Sequence, residues 1–381
     1  MTPRRPLRLV WMKGLEGSTH RQWLRFLLGD RLEQEGVVER FERAEPHTLY
    51  ALNSNRLPLS SLPAAFLESA ARMPGVGLFD GSDEWYGGDY AAYRSFAFVL
   101  RMCHAGRFRN AGVLTVPLGY ATGQPVRDTV VPASGRRYLW SFAGKPVGSR
   151  ATMMRALDGL EPAAAHVRTS VRGDLSEGRL SKHEYHDLLA DSVFVPCPMG
   201  NVMMETYRVY ETLENGAVPI LERRPLRPYF EELFGRHPLP AFRTWPEARV
   251  FMERAQADPA GLDALQREVH GWWTEEKERQ RRSVAAFLDL GLADALRAEL
   301  AALPVRKRRW RRGLDQALEL ARHHSPEAAR ERLLTIMRRL VTTGHVQSAR
   351  RRQSAAQFQA RHPAAAGDRK STRLNSSHYR T

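Results

Sequence analysis

The chain has 381 residues, enough for two domains of ordinary size, and its 43% hydrophobic content supports globular cores and excludes a disordered or fibrous protein. The formal net charge of +16 taken alone suggests nucleic acid, but residues 305–381 hold 19 Lys and Arg against 5 Asp and Glu and carry +14 of it. The first 304 residues are therefore nearly neutral, and the basic character belongs to a tail.

Leu7–Met12 reads as a strand, and residues 19–34 as a helix turning Trp23, Phe26, Leu27 and Leu28 toward a core. A strand follows at 47–52, a helix at 63–73 and a strand at 76–79. The loop Asp80-Gly-Ser-Asp-Glu-Trp-Tyr-Gly-Gly comes next, then a long helix at about 90–104 that contains Cys103, and a strand at 113–116. Short strands alternating with helices imply a parallel, covered sheet, hence an α/β fold. Residues 1–121 form a first domain, and the aperiodic, Gly- and Pro-bearing segment 122–137 is the linker. A second alternation fills 138–303, with strands at 138–142 and 166–171 and helices at 149–160 and 182–190. Ser181 and Glu184 make a capping box, Thr244 opens another helix with Pro246 in its first turn, and the pattern is helical from 246 to 303.

Within this second domain, residues 194–221 read as strand, glycine-bearing loop, helix and strand. Phe194 and Val195 are β-prone, Pro196, Pro198 and Gly200 stop the strand, a helix runs from about 202 to 214, and Asn215-Gly216 ends it. The helix start is a place for a ligand's diphosphate, because its N–H groups and macrodipole favour an anion. Arg208 lies three residues from both Glu205 and Glu211, so the three share one face. Two readings fit: Arg208 pairs with phosphate while Glu211 accepts from ribose hydroxyls, or the three form a solvated Glu-Arg-Glu ladder.

The run from Cys197 to Ile220, C-P-x-G-N-x-x-x-E-T-Y-R-x-Y-E-x-L-E-x-G-A-V-P-I, resembles the signature of the exostosin-like glycosyltransferases, including the ribitol-phosphate xylosyltransferase branch. Tyr138-Leu-Trp-Ser-Phe-Ala-Gly-Lys with Arg150 resembles that family's strand–Gly–Arg element, and Ser192 its later strand opening. VGLFDGSDEWY (76–86) and VLTVPLGY (113–120) are similar to first-domain strands of bacterial members. Met203-Met204 departs from the pattern, being bulkier than the residues expected there. The resemblance implies a GT-B fold, two Rossmann-like domains with parallel sheets facing across a cleft, with C-terminal helices crossing back to brace the first domain. It implies an inverting transfer from a nucleotide sugar, a UDP-sugar, to a glycan or glycolipid. The donor-binding residues it implies are Gly144, Lys145, Arg150, Ser192, Pro198, Gly200, Asn201, Glu205, Thr206, Arg208 and Glu211.

The developing charge on a leaving diphosphate is met by N–H donors, a helix N-terminus and Arg side chains. With no Asp-x-Asp pair in the chain, no metal and no other cofactor is expected. Asp83 and Glu84, in the loop after strand 76–79, are the candidate bases, because ligand crevices lie beyond the carboxyl ends of parallel strands; the alternative is an N-cap and a solvated charge. Elsewhere, His183 and His186 lack cysteine partners and read as a solvated helix face rather than zinc ligands, and Trp272, Trp273 and Trp85 read as core aromatics, with Trp85 alternatively stacking on an acceptor sugar.

Cys103 and Cys197 fall in dissimilar segments, which favours free thiols and a reducing compartment. No run of about 18 apolar residues is present, and the opening apolar stretch is too short for a signal peptide, so a cytoplasmic bacterial form is expected. Residues 304–368 form a basic helical tail with the cluster Arg306-Lys-Arg-Arg-Trp-Arg-Arg312, which suits peripheral contact with an anionic membrane. Residues 369–381 resemble a translated sequencing adapter and are set aside, which implies a missing natural C-terminus. Two competing readings remain: a polyanion-binding protein acting through the tail, with nucleic acid the lesser option, and an inactive glycosyltransferase-like binding module.

Overall fold

Short apolar runs bounded by Gly and Pro become the strands of two parallel sheets, as expected for strands buried on both faces. The computed structural model describes residues 6–14, 19–54, 57–81, 90–102, 110–127, 129–146, 148–167, 180–200, 203–224 and 228–303. The first sheet comprises β1 (Leu7–Met12), β2 (Leu32–Val38), β3 (Thr48–Leu52), β4 (Gly77–Asp80), β5 (Phe98–Arg101) and β6 (Val113–Thr115), in the order β2-β1-β3-β4-β5-β6. Helices α1 (Arg21–Leu28) and α2 (Ala64–Arg72) connect its strands. The second comprises β7 (Tyr138–Gly144), β8 (Ala163–Val167), β9 (Ser192–Cys197), β10 (Val218–Glu222) and β11 (Ala241–Phe242), in the order β11-β10-β9-β7-β8. Helices α3 (Ser149–Ala156), α4 (Lys182–Ala190), α5 (Tyr207–Glu214) and α6 (Tyr229–Phe234) alternate with them.

Counted in chain order, the first five strands of each sheet repeat one arrangement, 2-1-3-4-5. In such doubly wound sheets the order reverses between the first and third strands, and ligands bind outside the carboxyl ends at that switch point. The two switch points fall between β1 and β3 and between β7 and β9. This is the two-sheet α/β architecture that the GT-B resemblance implies.

Three expectations are corrected. The helix expected over 19–34 stops at Gly29, whose φ of 52° no L side chain adopts readily, and the chain enters β2. β2 is an edge strand with several exposed polar residues, so it lacks the apolar signature of its neighbours. The helix expected over 90–104 is a single 3₁₀ segment, Tyr90–Ser95, followed by β5. Phe98 lies across Gly77 of β4, where an added Cβ would meet its ring at 2.2 Å, so this aromatic packs flat on the sheet. Finally, α5 begins at Tyr207 rather than near 202, with Met203 and Met204 buried in the preceding loop.

Two arginines of the 122–137 segment clamp the helix ends behind the second sheet. Arg127 donates to Asn215 Oδ1 at 2.6 Å, to the His186 carbonyl at 3.1 Å and to Asp187, while Arg136 donates to the carbonyls of Ser192 and Asn215. Cations placed at helix C-termini also oppose the negative end of the dipole. His186 is therefore a buried neighbour of Asn215, not part of a solvated face.

The C-terminal helices α7 (Trp245–Gln256), α8 (Pro259–Leu292) and α9 (Arg297–Ala301) complete the fold. The 34 residues of α8 make a rod about 51 Å long that touches both halves. Gln266 bonds the Gly216 carbonyl, Trp273 packs on both Trp23 and Tyr210, and Arg31 pairs with Asp289. At its far end Gly291 lets the helix settle on Phe98, since a Cβ there would sit 2.4 Å from the ring. Both sheets belong to one compact unit, Met1–Ser325. Among the described residues no helix is long and apolar enough to cross a membrane. The expectations for the basic tail, residues 369–381, Cys103 and Trp85 lie outside the described residues; Cys197 is a free, buried thiol pushed up to about 12 by burial.

Candidate functional site

The β7/β9 switch point collects most of the sequence-based donor residues. β7 ends at Gly144, Lys145 follows it, and α3 starts five residues after Gly144 with Ser149 and Arg150 in its first turn. β9 ends at Cys197, its loop carries Pro198 and Gly200, and α5 starts at Tyr207 with Arg208 next. Neither helix has an acid in its first turn, and each has an arginine there. A cation at a positive helix end is the unfavourable placement, unless an anion sits between them.

Arg208 leans back over β7. Its guanidinium donates to the Ala143 carbonyl at 2.7 Å, lies 4.5 Å above the Phe142 ring and approaches Gly144, where a Cβ would be 3.2 Å from Nη2. A side chain at position 144 would therefore crowd Phe142 and the arginine, and one of them would have to give by a few tenths of an ångström. Glu211, one turn on, is buried and accepts from the Tyr185 hydroxyl at 3.0 Å. Burial raises its pKa, and the Tyr185 hydroxyl and Arg208 act against that rise. Thr206 is the N-cap, but its side chain does not cap the helix, and its Oγ1 is buried without a hydrogen-bond partner among the described residues.

The solvated Glu-Arg-Glu ladder is excluded, because both glutamates are buried. Glu205 is also not a donor ligand here. It is 3% exposed and fully engaged, accepting the Leu118 N–H at 2.6 Å, the Tyr229 hydroxyl at 2.5 Å and the Tyr210 hydroxyl. Burial raises its pKa, opposed by these three donors. Since Leu118 follows β6, this carboxylate ties the first half to the second.

Ser192 is corrected as well. It opens β9 at the end away from the crevice, fully buried, with its hydroxyl bonded to Ser141 Oγ and the Leu188 carbonyl at 2.7 and 2.6 Å. The Gly200 N–H donates to the Met203 carbonyl at 2.7 Å and closes the loop on itself, so it is not a phosphate donor in this state. Pro198 is buried beside it. Asp83, Glu84 and Asn201 lie outside the described residues.

Sequence reasoning missed Glu222 and His20. Glu222, at the carboxyl end of β10, accepts from the Met199 N–H at 3.2 Å and from the Ser149 hydroxyl, and pairs with Arg224. It thereby fastens the β9 loop to the start of α3. The run Glu222-Arg223-Arg224 after Leu221 gave no signal separable from a surface charge run. On the other side of the crevice, His20 meets Tyr207, the first residue of α5. Among the described residues there is no cluster of three His, Cys, Asp or Glu side chains able to hold a metal ion.

Residues 124–285 match the family model described as the RXYLT1 C-terminal domain, a span that starts in the linker and ends within α8. A solved structure titled as an alpha1,3-fucosyltransferase is similar at 13% identity and TM-score 0.47, covering 80% of this chain and 95% of its own. A second, an alpha1,3-fucosyltransferase with GDP, is similar at 13% identity and TM-score 0.45, covering 77% and 92%. The comparison with curated proteins found no match.

Proposed function

We propose that this chain is a glycosyltransferase. It moves a sugar from a nucleotide-sugar donor, a UDP-sugar as the resemblance implies, onto a hydroxyl of a glycan or glycolipid, with inversion and without a metal. The observation that carries the reading is the β7/β9 crevice, where two helices with no acid in their own first turns each bring an arginine to the carboxyl ends of adjacent strands. Negative charge grows on the diphosphate as the glycosidic bond to it breaks, and fixed N–H dipoles with Arg208 and Arg150 stabilise that charge. The match to residues 124–285 covers the same crevice. The acceptor's proton passes to Asp83 or Glu84, in the loop that leaves β4. Cytoplasmic placement, with the basic tail 304–368 resting on an anionic membrane, completes the reading.

The test is a thermal-shift screen of UDP- and GDP-sugars on the protein and on Arg208→Ala. Stabilisation of the first by one nucleotide class, lost in the variant, is expected. A folded protein that no nucleotide sugar stabilises refutes the proposal.

A further inference from the structure

The two switch points touch at a histidine and a tyrosine. His20 immediately precedes α1, in the connection that leaves β1, yet its side chain makes no capping bond to that helix. The imidazole is 1% exposed and packs edge-on against Phe79 of β4, with centroids 6.3 Å apart. It also presses on Gly81, where a Cβ would come within 2.8 Å of the ring. From the other half, Tyr207 tilts over the imidazole at 5.7 Å between centroids. The Tyr207 hydroxyl lies 3.1 Å from Nδ1 and 3.3 Å from Nε2, and 2.9 Å from Thr19 Oγ1.

We propose that His20 is a positioning residue for the transfer: acting through Tyr207, it fixes the first turn of α5, and so Arg208, against the first half. The inference rests on reading the Arg208 crevice as the donor site. Tyr207 and Arg208 are consecutive in that turn, so anchoring the tyrosine hydroxyl restrains the backbone from which the arginine projects. A turn ordered before the donor arrives leaves less to order on binding, and the apparent affinity rises with the fraction of molecules already competent. Because Gly81 abuts the same imidazole, His20 also braces the root of the loop bearing Asp83 and Glu84. One side chain thus registers the donor-side arginine against the end of β4.

The experiment uses the full chain. UDP and GDP are titrated calorimetrically into the wild type, His20→Ala, His20→Gln, Tyr207→Phe and the His20→Ala/Tyr207→Phe double variant, and KM and kcat are measured with the sugar conjugate of whichever nucleotide binds. Each single deletion is expected to weaken nucleotide binding about tenfold, the size of one lost hydrogen bond, with a matching rise in KM and a smaller change in kcat. The double variant should be no weaker than Tyr207→Phe alone, since that variant already removes the His20 contact together with the one to Thr19. His20→Gln, which keeps a polar group within reach of Tyr207, should recover most of the loss. Amide exchange should quicken at residues 207–210 in His20→Ala while β7, β9 and β10 stay protected. Wild-type binding with unchanged affinity in both single variants overturns the inference and leaves the donor reading standing. A kcat lowered about 100-fold in His20→Ala at unchanged affinity also overturns it, in favour of direct proton transfer. A wild type that binds neither nucleotide overturns the donor reading, and the inference with it.

Discussion

Replacing Glu205 by alanine should cost the fold far more than it costs the chemistry. The carboxylate accepts from the Leu118 N–H, the Tyr229 hydroxyl and the Tyr210 hydroxyl, and all three donors are buried. Stranding a buried donor costs about 1–3 kcal/mol, and hydroxyls can rotate toward new acceptors where an N–H cannot, so Glu205→Ala should lose roughly 3–5 kcal/mol. That is a large share of a total stability of about 5–15 kcal/mol. Glu205→Gln keeps one acceptor oxygen for Leu118 and Tyr210 and offers its NH₂ to the Tyr229 oxygen, so its loss should be about 1 kcal/mol. Urea unfolding followed by tryptophan fluorescence reads both values as shifts in midpoint at constant slope. The glutamine variant should also flatten the pH response. Burial raises the folded carboxyl above 4.5, so the wild type is most favoured below that pH, and stability falls as pH rises through the folded value. An alanine variant less than about 1 kcal/mol weaker refutes the tie between halves. A glutamine variant that is fully stable but has lost nucleotide affinity restores Glu205 to the donor site.

Arg208→Ala should lose nucleotide-sugar affinity by a few kcal/mol with the fold intact, as titration calorimetry would show, because a charge-assisted contact to a diphosphate disappears. Activity should survive EDTA; a loss restored by manganese or magnesium would overturn the metal-free mechanism. One of Asp83→Asn and Glu84→Gln should keep donor binding and drop turnover about 100-fold or more, and full turnover in both removes the loop from proton transfer. His186, held down to about 4 by burial with Arg127 and Lys182 nearby, is proton-free in the fold where an unfolded imidazole is not. Stability should therefore be complete above pH 6.5 and fall as the pH drops toward 4, and His186→Gln should flatten that slope in thermal melts.

The legible part of the fold was the part whose signal is local. β9 and β10 are buried along their whole length and read as continuous apolar runs, and Ser181 with Glu184 announced α4 through a capping box that forms as written. β2 was hidden because an edge strand keeps polar residues exposed. β5 was mistaken for helix because a strand apolar on both faces has no period to distinguish it. The site divides the same way. Arg208 stands out in sequence by its place in a motif, whereas the contacts of Glu205 depend on Leu118, 87 residues away, and those of His20 on Tyr207, 187 away. Ser192 carried a familiar residue type at a familiar place, and only the direction of its hydroxyl shows that it fastens β9 to β7.

The seating of α8 on both halves sets how the crevice can move. Two bodies joined by a flexible strap can swing apart like covers of a book, but here one continuous helix is fixed to the second half near Gln266 and to the first near Gly291. Opening by a simple swing would bend a helix or peel one end off its seat, and Gly291 on Phe98 leaves no slack for sliding. A relative motion that keeps both seats must be carried through α8 itself, by bending or twisting that one helix.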